Sequence, residues 1–477
     1  MHPSKSLFNN SSSIRHRSKG SAASISPCRR LAALCIGAAS IVFNASDAVA
    51  VSLQPGKVSA LPVTSTLPAT LPETLPKTLP KIQPTATLPT SAASVNSAPV
   101  DARDDYLNYI ESLESDFGPY ATQLSEHLFD MGLSQQRSGD HKSAMDTLYR
   151  AMHISRINGG LYNLDQVPII EKLIDSQVAR GEWEDANNSH QYLYWLHRRN
   201  FDENDPRMLP ALEKMSRWHL QAYTVNINRH MLDHLISAYT LFNAAISLIE
   251  KSPQDLYQAN QARLVNALRG ITLSNYYLAT LQQSNLDDPM VRNQLTPDER
   301  MRLEQYIMNS YRSGKNAIER IQDVYASNPA SPPAGAFEAQ VEMADWHMLF
   351  NRPDTAIGMY RQTHAALQQN PQLASKSREL FSQPVALPSM TLLNSQVGGS
   401  DEPASADAPY VLVKFDVTAS GRAINIQVVD SLPANNVRNR NHVRRSLKTA
   451  IFRPRFENGM PVATQAMVHR FVFAPAN

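Results

Sequence analysis

The chain has 477 residues, of which 42% are hydrophobic, and its 45 basic and 43 acidic side chains leave a formal net charge of +2. That length has room for two or more domains. The mean hydropathy of −0.35 excludes a polytopic membrane protein, and charges that nearly cancel say little about partners. Both cysteines, Cys28 and Cys35, lie near the start, so the rest of the chain can form no disulfide, which fits the periplasm without requiring it.

The amino terminus reads as an export address. Arg15, Arg17, Lys19, Arg29 and Arg30 precede an apolar run over residues 31–43, and Ala48 and Ala50 follow at the two positions a signal peptidase reads. The expectation is a signal peptide, residues 1–50, cleaved after Ala50. The alternative is a retained membrane anchor. At ~1.5 Å per helical residue the run spans only about 20 Å, short of the ~30 Å hydrocarbon core. Asn44, Ser46 and Asp47 stop its extension. Arg29 and Arg30 lack the flanks of a twin-arginine signal, and Cys35 lies in a poor context for lipid attachment. Over 51–100 the unit Thr-Leu-Pro recurs at Thr66, Thr70, Thr74 and Thr78. Proline every four residues excludes helix and sheet, so this Pro-rich stretch is expected to be a disordered spacer.

Residues 104–373 carry amphipathic patterns of helical period. Helices are expected over 121–137, 141–156, 165–180, 183–199, 207–223, 230–251, 258–283, 298–326, 336–350 and 354–369, several of them separated by Gly, Asp or Asn-Pro turns. Gly139 and Gly181 are 42 residues apart, as are Ala144 and Ala186. Each glycine falls in a tight turn between helices, and each alanine falls where two helices approach too closely for a larger side chain. This resembles the tetratricopeptide repeat in a longer variant, which implies a solenoid with a concave face suited to a peptide or protein surface. The register is lost at Tyr223 and Asn228, and a further such unit is read at 339–367, with Ala344, Ala356, Tyr360 and Ala366. Trp183, Tyr192, Trp195, Trp218 and Trp346 are read as packing between helices.

Catalytic constellations are scarce. His230 and His234 lie four apart beside Asp233, but Met231 stands where a zinc protease needs glutamate, and no third ligand is evident. Glu342, Asp345 and His347 cluster without two visibly different environments to separate an acid from a base. No nucleophile elbow, phosphate loop or dinucleotide fingerprint occurs, so no enzyme, metal or cofactor is expected.

After a linker over 374–408, with Gly398 and Gly399, the period changes. Val411, Val413, Phe415 and Val417 alternate with polar positions, Gly421 closes a turn, and Ile424, Ile426 and Val428 resume the alternation, giving a β-hairpin. Val443, Leu447 and Ile451 then recur at helical spacing. Pro454 is expected to end that helix, Asn458 and Gly459 to make a turn, and 464–473 to return as a strand. From residue 409 onward, ten basic residues oppose three acidic ones. Arginines on a solvated helix face explain this without nucleic acid; acidic envelope polymers or lipid headgroups remain open as counterparts.

The order of this module, and above all the spacing of Phe452, Pro454, Gly459, Pro461 and Val462, resembles the C-terminal domain of TonB-type energy transducers. The resemblance covers about the last seventy residues. It implies a periplasmic domain that captures a segment of an outer-membrane transporter by strand addition, here along Gln465, Met467, His469, Phe471 and Phe473. The family's upstream Tyr-Pro element has no counterpart in 389–408. The fold expected is mainly α: a tetratricopeptide-like α-solenoid followed by a small α+β (ββαβ) TonB-C-like domain over 409–477. The function expected is a periplasmic protein–protein interaction scaffold of the cell envelope, binding envelope proteins or peptides. The alternative is an inner-membrane-anchored transducer serving transmembrane transport.

Overall fold

Apolar residues at three- and four-residue steps produce a run of helices, seen here in a computed structural model that describes residues 100–225, 231–280, 297–327, 332–388 and 409–472. The expected signal peptide, the spacer up to residue 99, His230, Phe473 and the linker from 389 to 408 lie outside the described residues. The helices are α1 (Val100–Phe117), α2 (Thr122–Arg137), α3 (His141–Gly159), α4 (Gln166–Ala179), α5 (Trp183–Asn200), α6 (Leu209–Val225), α7 (Met231–Lys251), α8 (Gln254–Ala259), α9 (Gln261–Thr280), α10 (Pro297–Ala326), α11 (Gly335–Leu349), α12 (Pro353–Gln369) and α13 (Ala374–Phe381). From α2 to α13 each long helix packs chiefly on its neighbours in sequence. The region is mainly helical and is followed by a small sheet region.

The 42-residue spacing is realised in hydrogen bonds. In the turn from α2 to α3, Gly139 has φ +79°, its N–H donates to the Gln136 carbonyl, and the next N–H, of Asp140, reaches back to Gln135. Gly181, at φ +73°, repeats both bonds to Val178 and Gln177 between α4 and α5. Ala144 and Ala186 are fully buried five residues beyond. The same closure occurs between α11 and α12, where Asn351 at φ +58° donates to Met348, Arg352 donates to His347, and Ala356 is buried. This is the paired closure of a helix C-terminus, whose left-handed residue is glycine or, less often, asparagine. A second clasp repeats at the same interval. Asn158 Nδ2 donates to the carbonyls of Tyr120 and Ile154, and Asn200 Nδ2 to those of Tyr162 and Leu196, tying the end of each second helix to the loop before its first.

The large aromatics expected as packing are inside. Tyr192, Trp195, Trp218 and Trp346 are buried, and Trp183 is half-buried. The indoles of Trp218 and Trp346 donate to Asn187 Oδ1 and to the Tyr311 carbonyl. Residues 232–251 of α7 are long and apolar enough to cross a membrane, but 56% of that stretch is buried, as in a core helix packed between α6 and α9.

The sheet region differs from a simple ββαβ order. Its elements are β1 (Val385–Leu387), β2 (Tyr410–Val417), β3 (Ala423–Leu432), α14 (Val437–Thr449), β4 (Ile451–Arg453), β5 (Arg455–Glu457), β6 (Met460–Val462) and β7 (Thr464–Val472). They form an antiparallel sheet in the order β3-β2-β7 and two small antiparallel pairs, β1 with β4 and β5 with β6. Ile451 belongs to β4 and not to the helix: α14 ends at Thr449, where Ala450 turns extended, so Pro454 separates two strands instead of stopping a helix. Residues 374–388, expected as linker, contain α13 and β1. Asn458 and Gly459 both have positive φ, as a two-residue hairpin between twisted strands requires.

Gly421 is fixed twice over. Its φ is +75°, and an added Cβ would stand 2.0 Å from the Phe452 carbonyl oxygen, because the hairpin turn leans directly on β4. Gly421→Ala is expected to cost about 1–3 kcal/mol from backbone strain alone. Urea unfolding monitored by circular dichroism measures this, and an unchanged midpoint would contradict the close approach.

Candidate binding surfaces

Two surfaces on this frame have the geometry to hold an extended chain, and a third feature fixes them relative to each other. The first surface is a groove beside α10. Gln305, Asn309, Arg312, Ser313 and Asn316 recur along one side of that helix and face Tyr239 of α7 and Asn275 of α9 across an open hollow of about 390 Å³. The Tyr239 and Tyr306 rings meet edge to face at 5.4 Å and close one wall. Burial pushes the Tyr239 hydroxyl above its ordinary pKa, so it stays protonated as a donor. Among the described residues no carboxylate lines the groove and Arg312 makes no ion pair. Carboxamides offer both donors and acceptors to peptide groups, and a guanidinium adds attraction for a carboxylate. The amide stripe on α10 was visible in the sequence as polar residues at helical spacing, but reads there as an ordinary solvated face.

The second surface is the outer strand β7. It pairs with β2 on one side, and among the described residues no further strand lies on the other. Phe471 stands opposite Val411, His469 opposite Val413 and Met467 opposite Phe415. These three side chains are therefore on the face covered by α14, where Met467 and Phe471 pack against the buried row Val411, Val413, Phe415 and Val417. Burial holds the His469 imidazole below its ordinary pKa. Gln465, Val468 and Arg470 are exposed. The five positions expected to capture a partner thus divide: three anchor the strand, Gln465 is outside, and Phe473 is not among the described residues. Strand addition draws on the backbone edge, which this division leaves in place.

The start of β7 is pinned by one carboxylate. Asp416 accepts the Ala466 N–H at 2.8 Å across a bulge where Ala466 has φ +58°, and also accepts Asn425 Nδ2 at 2.6 Å. The hydrogen bond from Asn425, then that from Ala466, hold the Asp416 carboxyl below its usual range. One side chain of β2 therefore sets the position of both neighbouring strands.

The third feature joins the sheet region to the helices. Arg453 of β4 donates from Nε to Asp345 Oδ1 at 3.0 Å and from Nη2 to Oδ2 at 2.6 Å, and from Nη1 to the Leu380 carbonyl at 3.1 Å. Tyr360 of α12 donates its hydroxyl to the same carboxylate at 2.6 Å. Arg453 is 4% exposed and Asp345 2%. Burial would lower the Arg453 pKa, but the Asp345 carboxylate and its hydrogen bonds reverse this and raise it. Burial, then Asp345, push the Tyr360 hydroxyl well above its ordinary value, so it remains a donor. Around this group one apolar core runs from Val341, Tyr360 and Phe381 to Leu387, Ile451 and Phe456.

The positions singled out for chemistry go to separate partners. Glu342 pairs with Arg269, Asp345 with Arg453, and His347 lies 3.4 Å from the Tyr311 hydroxyl. His234 is buried and meets His219 of α6, Nδ1 to Nδ1, at 2.8 Å. No group of three His, Cys, Asp or Glu that could hold a metal occurs among the described residues. Pro454 is buried between β4 and β5, and Pro461 stands opposite Phe456 in the β5–β6 pair. No protein-family model matches the chain, and no curated protein matches it.

Proposed function

We propose that this chain is an exported, periplasmic adaptor of the cell envelope that holds two extended segments at once. In this reading α2 to α12 act as a tetratricopeptide-like solenoid whose groove beside α10 grips a carboxylate-bearing peptide, and residues 409–472 act as a TonB-C-like module whose outer strand takes up a segment of an outer-membrane protein. The observation that carries it is the sheet order β3-β2-β7, which among the described residues leaves β7 at an edge while its inward side chains are anchored in a core. An edge of that kind binds through main-chain hydrogen bonds and is tolerant of partner sequence. The groove adds support because its amides and Arg312 suit a peptide and no acid occurs among the described residues that line it.

The buried Arg453–Asp345 pair makes the adaptor reading more economical than force transduction, because it ties the module to α11, which packs on the groove helix α10. Hydrogen–deuterium exchange on the full chain tests the proposal, using peptides copied from periplasm-facing segments of outer-membrane transporters. The expected result is slowed exchange over 464–472. Unchanged exchange there with every peptide, at concentrations up to millimolar, would sink strand capture.

A further inference from the structure

The outward face of α14 is used by neither surface. Val443 and Leu447 turn toward the sheet, which leaves Arg438, Arg444, Arg445 and Lys448 exposed, with Arg440 half-buried at their flank. No acidic residue occurs in the helix. Among the described residues none of these five cations is in an ion pair. In the helical region, cations unpaired among the described residues, such as Arg312, stand on helices that also carry acids, and Arg150, Arg180, Arg198, Lys214, Arg269, Lys315 and Arg320 each have a carboxylate partner.

This arrangement works against the helix. Arg440 and Arg444, and Arg444 and Lys448, are like charges four apart, and each such pair is destabilising. Arg438 and Arg440 stand in the first turn, where the partial positive charge of the helix terminus repels them. The field reaches inward as well: burial, then Arg445 and Arg438, hold His442 below its ordinary range. A positive surface kept at such a cost in a folded module fits a negative partner.

The form of the surface narrows the choice. The stripe from Arg438 to Lys448 covers about 15 Å of a convex helix face, at ~1.5 Å per residue. A convex face has no hollow to select a partner's side chains, but it can meet a plane of identical headgroups. Four of the five cations are arginine, whose planar fork matches phosphate oxygens. Val437, 62% exposed, adds bare aliphatic surface at the start of the same helix, which suits the boundary between headgroups and acyl chains. The helix contributes no Phe, Tyr or Trp on which a nucleic-acid base could stack, and its His442 ring is half-buried.

We propose that α14 docks the module on an anionic phospholipid surface, its arginines on the phosphates and Val437 at the acyl boundary. The site is independent of the groove and of the β7 edge.

Vesicle co-sedimentation of the full chain tests it. Phosphatidylcholine vesicles are compared with vesicles containing about one-third phosphatidylglycerol, at low and high salt. The variant carries Arg438→Gln, Arg444→Gln, Arg445→Gln and Lys448→Gln, all at exposed positions. A control removes four exposed cations elsewhere, Arg137→Gln, Lys142→Gln, Lys251→Gln and Arg361→Gln. All three chains carry the apolar run 31–43 alike, so only their differences are read. Each cation near an anionic surface contributes roughly fivefold, so the α14 variant is expected to partition at least about 100-fold less onto anionic vesicles. The control is expected to stay close to wild type, and the difference to vanish in high salt. Equal binding of the α14 variant and wild type would overturn the proposal, as would equal binding of wild type to both vesicle types. Binding of soluble polyphosphate without pelleting on anionic vesicles would also overturn it, in favour of a soluble polyanion.

Discussion

Replacing Asp345 with asparagine, or Arg453 with methionine, is expected to destabilise the chain by ~3–5 kcal/mol, because each change leaves one charge of a buried pair without its counter-charge. Both groups are almost fully inside, and the pair is bidentate with a third donor from Tyr360, so little water is at hand to compensate. The double variant Asp345→Leu with Arg453→Met is expected to recover most of the loss, since the surrounding core of Val341, Phe381, Ile451 and Phe456 can accept two apolar side chains. Urea unfolding of wild type, both single variants and the double variant forms the cycle that checks this. Single variants within ~1 kcal/mol of wild type would show that the charges are solvated in solution.

Acidification from pH 7.5 to 5 is expected to cost about 2 kcal/mol of stability through His190 of the helical region, with His219 adding to the loss in the same direction. Burial, then the charge of Lys214, brings the His190 pKa down to about 3, and the ring stacks on Trp218 at 4.3 Å. His219 is held well below its ordinary value by burial, then by His234 and His190. Its Nδ1 contact with His234 needs one protonated and one bare nitrogen, so protonating both rings would set two N–H groups against each other. The sign follows from proton uptake. Below about pH 6.5 the unfolded chain binds protons that the folded chain refuses, so the contribution is whole above that pH and is lost progressively as pH falls toward 3. His190 contributes ~1.4 kcal/mol per pH unit in that window, and His219 acts in the same direction. Urea midpoints at the two pH values measure the effect, and His190→Gln with His219→Gln should flatten it. Equal midpoints in wild type would mean that water reaches both rings.

The helices were legible because their apolar stripes are long and their turns carry Gly, Asp or Asn-Pro, and the repeat because Gly139 and Gly181 mark one turn twice. The third instance was found through its alanines, while its turn escaped, since Asn351 takes the left-handed position that glycine takes in the others and stands 170 residues beyond Gly181, which is not a multiple of 42. Ile451 was misplaced for a related reason. It continues the spacing of Val443 and Leu447, and nothing local announces that Ala450 turns extended. Local pattern could not have found the Arg453–Asp345 pair. Arg453 reads as one more cation of a basic module, and its carboxylate is 108 residues away. The groove beside α10 escaped because it takes side chains from three helices, each of which is an ordinary polar face alone. The β7 edge was readable as a strand, but which of its side chains turn inward depends on the bulge at Ala466.

The same pair has a consequence for the order in which the chain assembles. Contacts between successive helices are close in sequence and close their loops early, whereas the Arg453–Asp345 contact and the pairing of β1 with β4 must wait for residues 451–453, Arg453 being 108 positions beyond Asp345. The expected sequence of events is therefore helices first and sheet last. Throughout that interval Asp345 and the short strand β1 form a prepared acceptor at the end of the helical stack. The arrival of Arg453 completes it, so the stability of helices made early reports whether the sheet region over 409–472 has been made and folded.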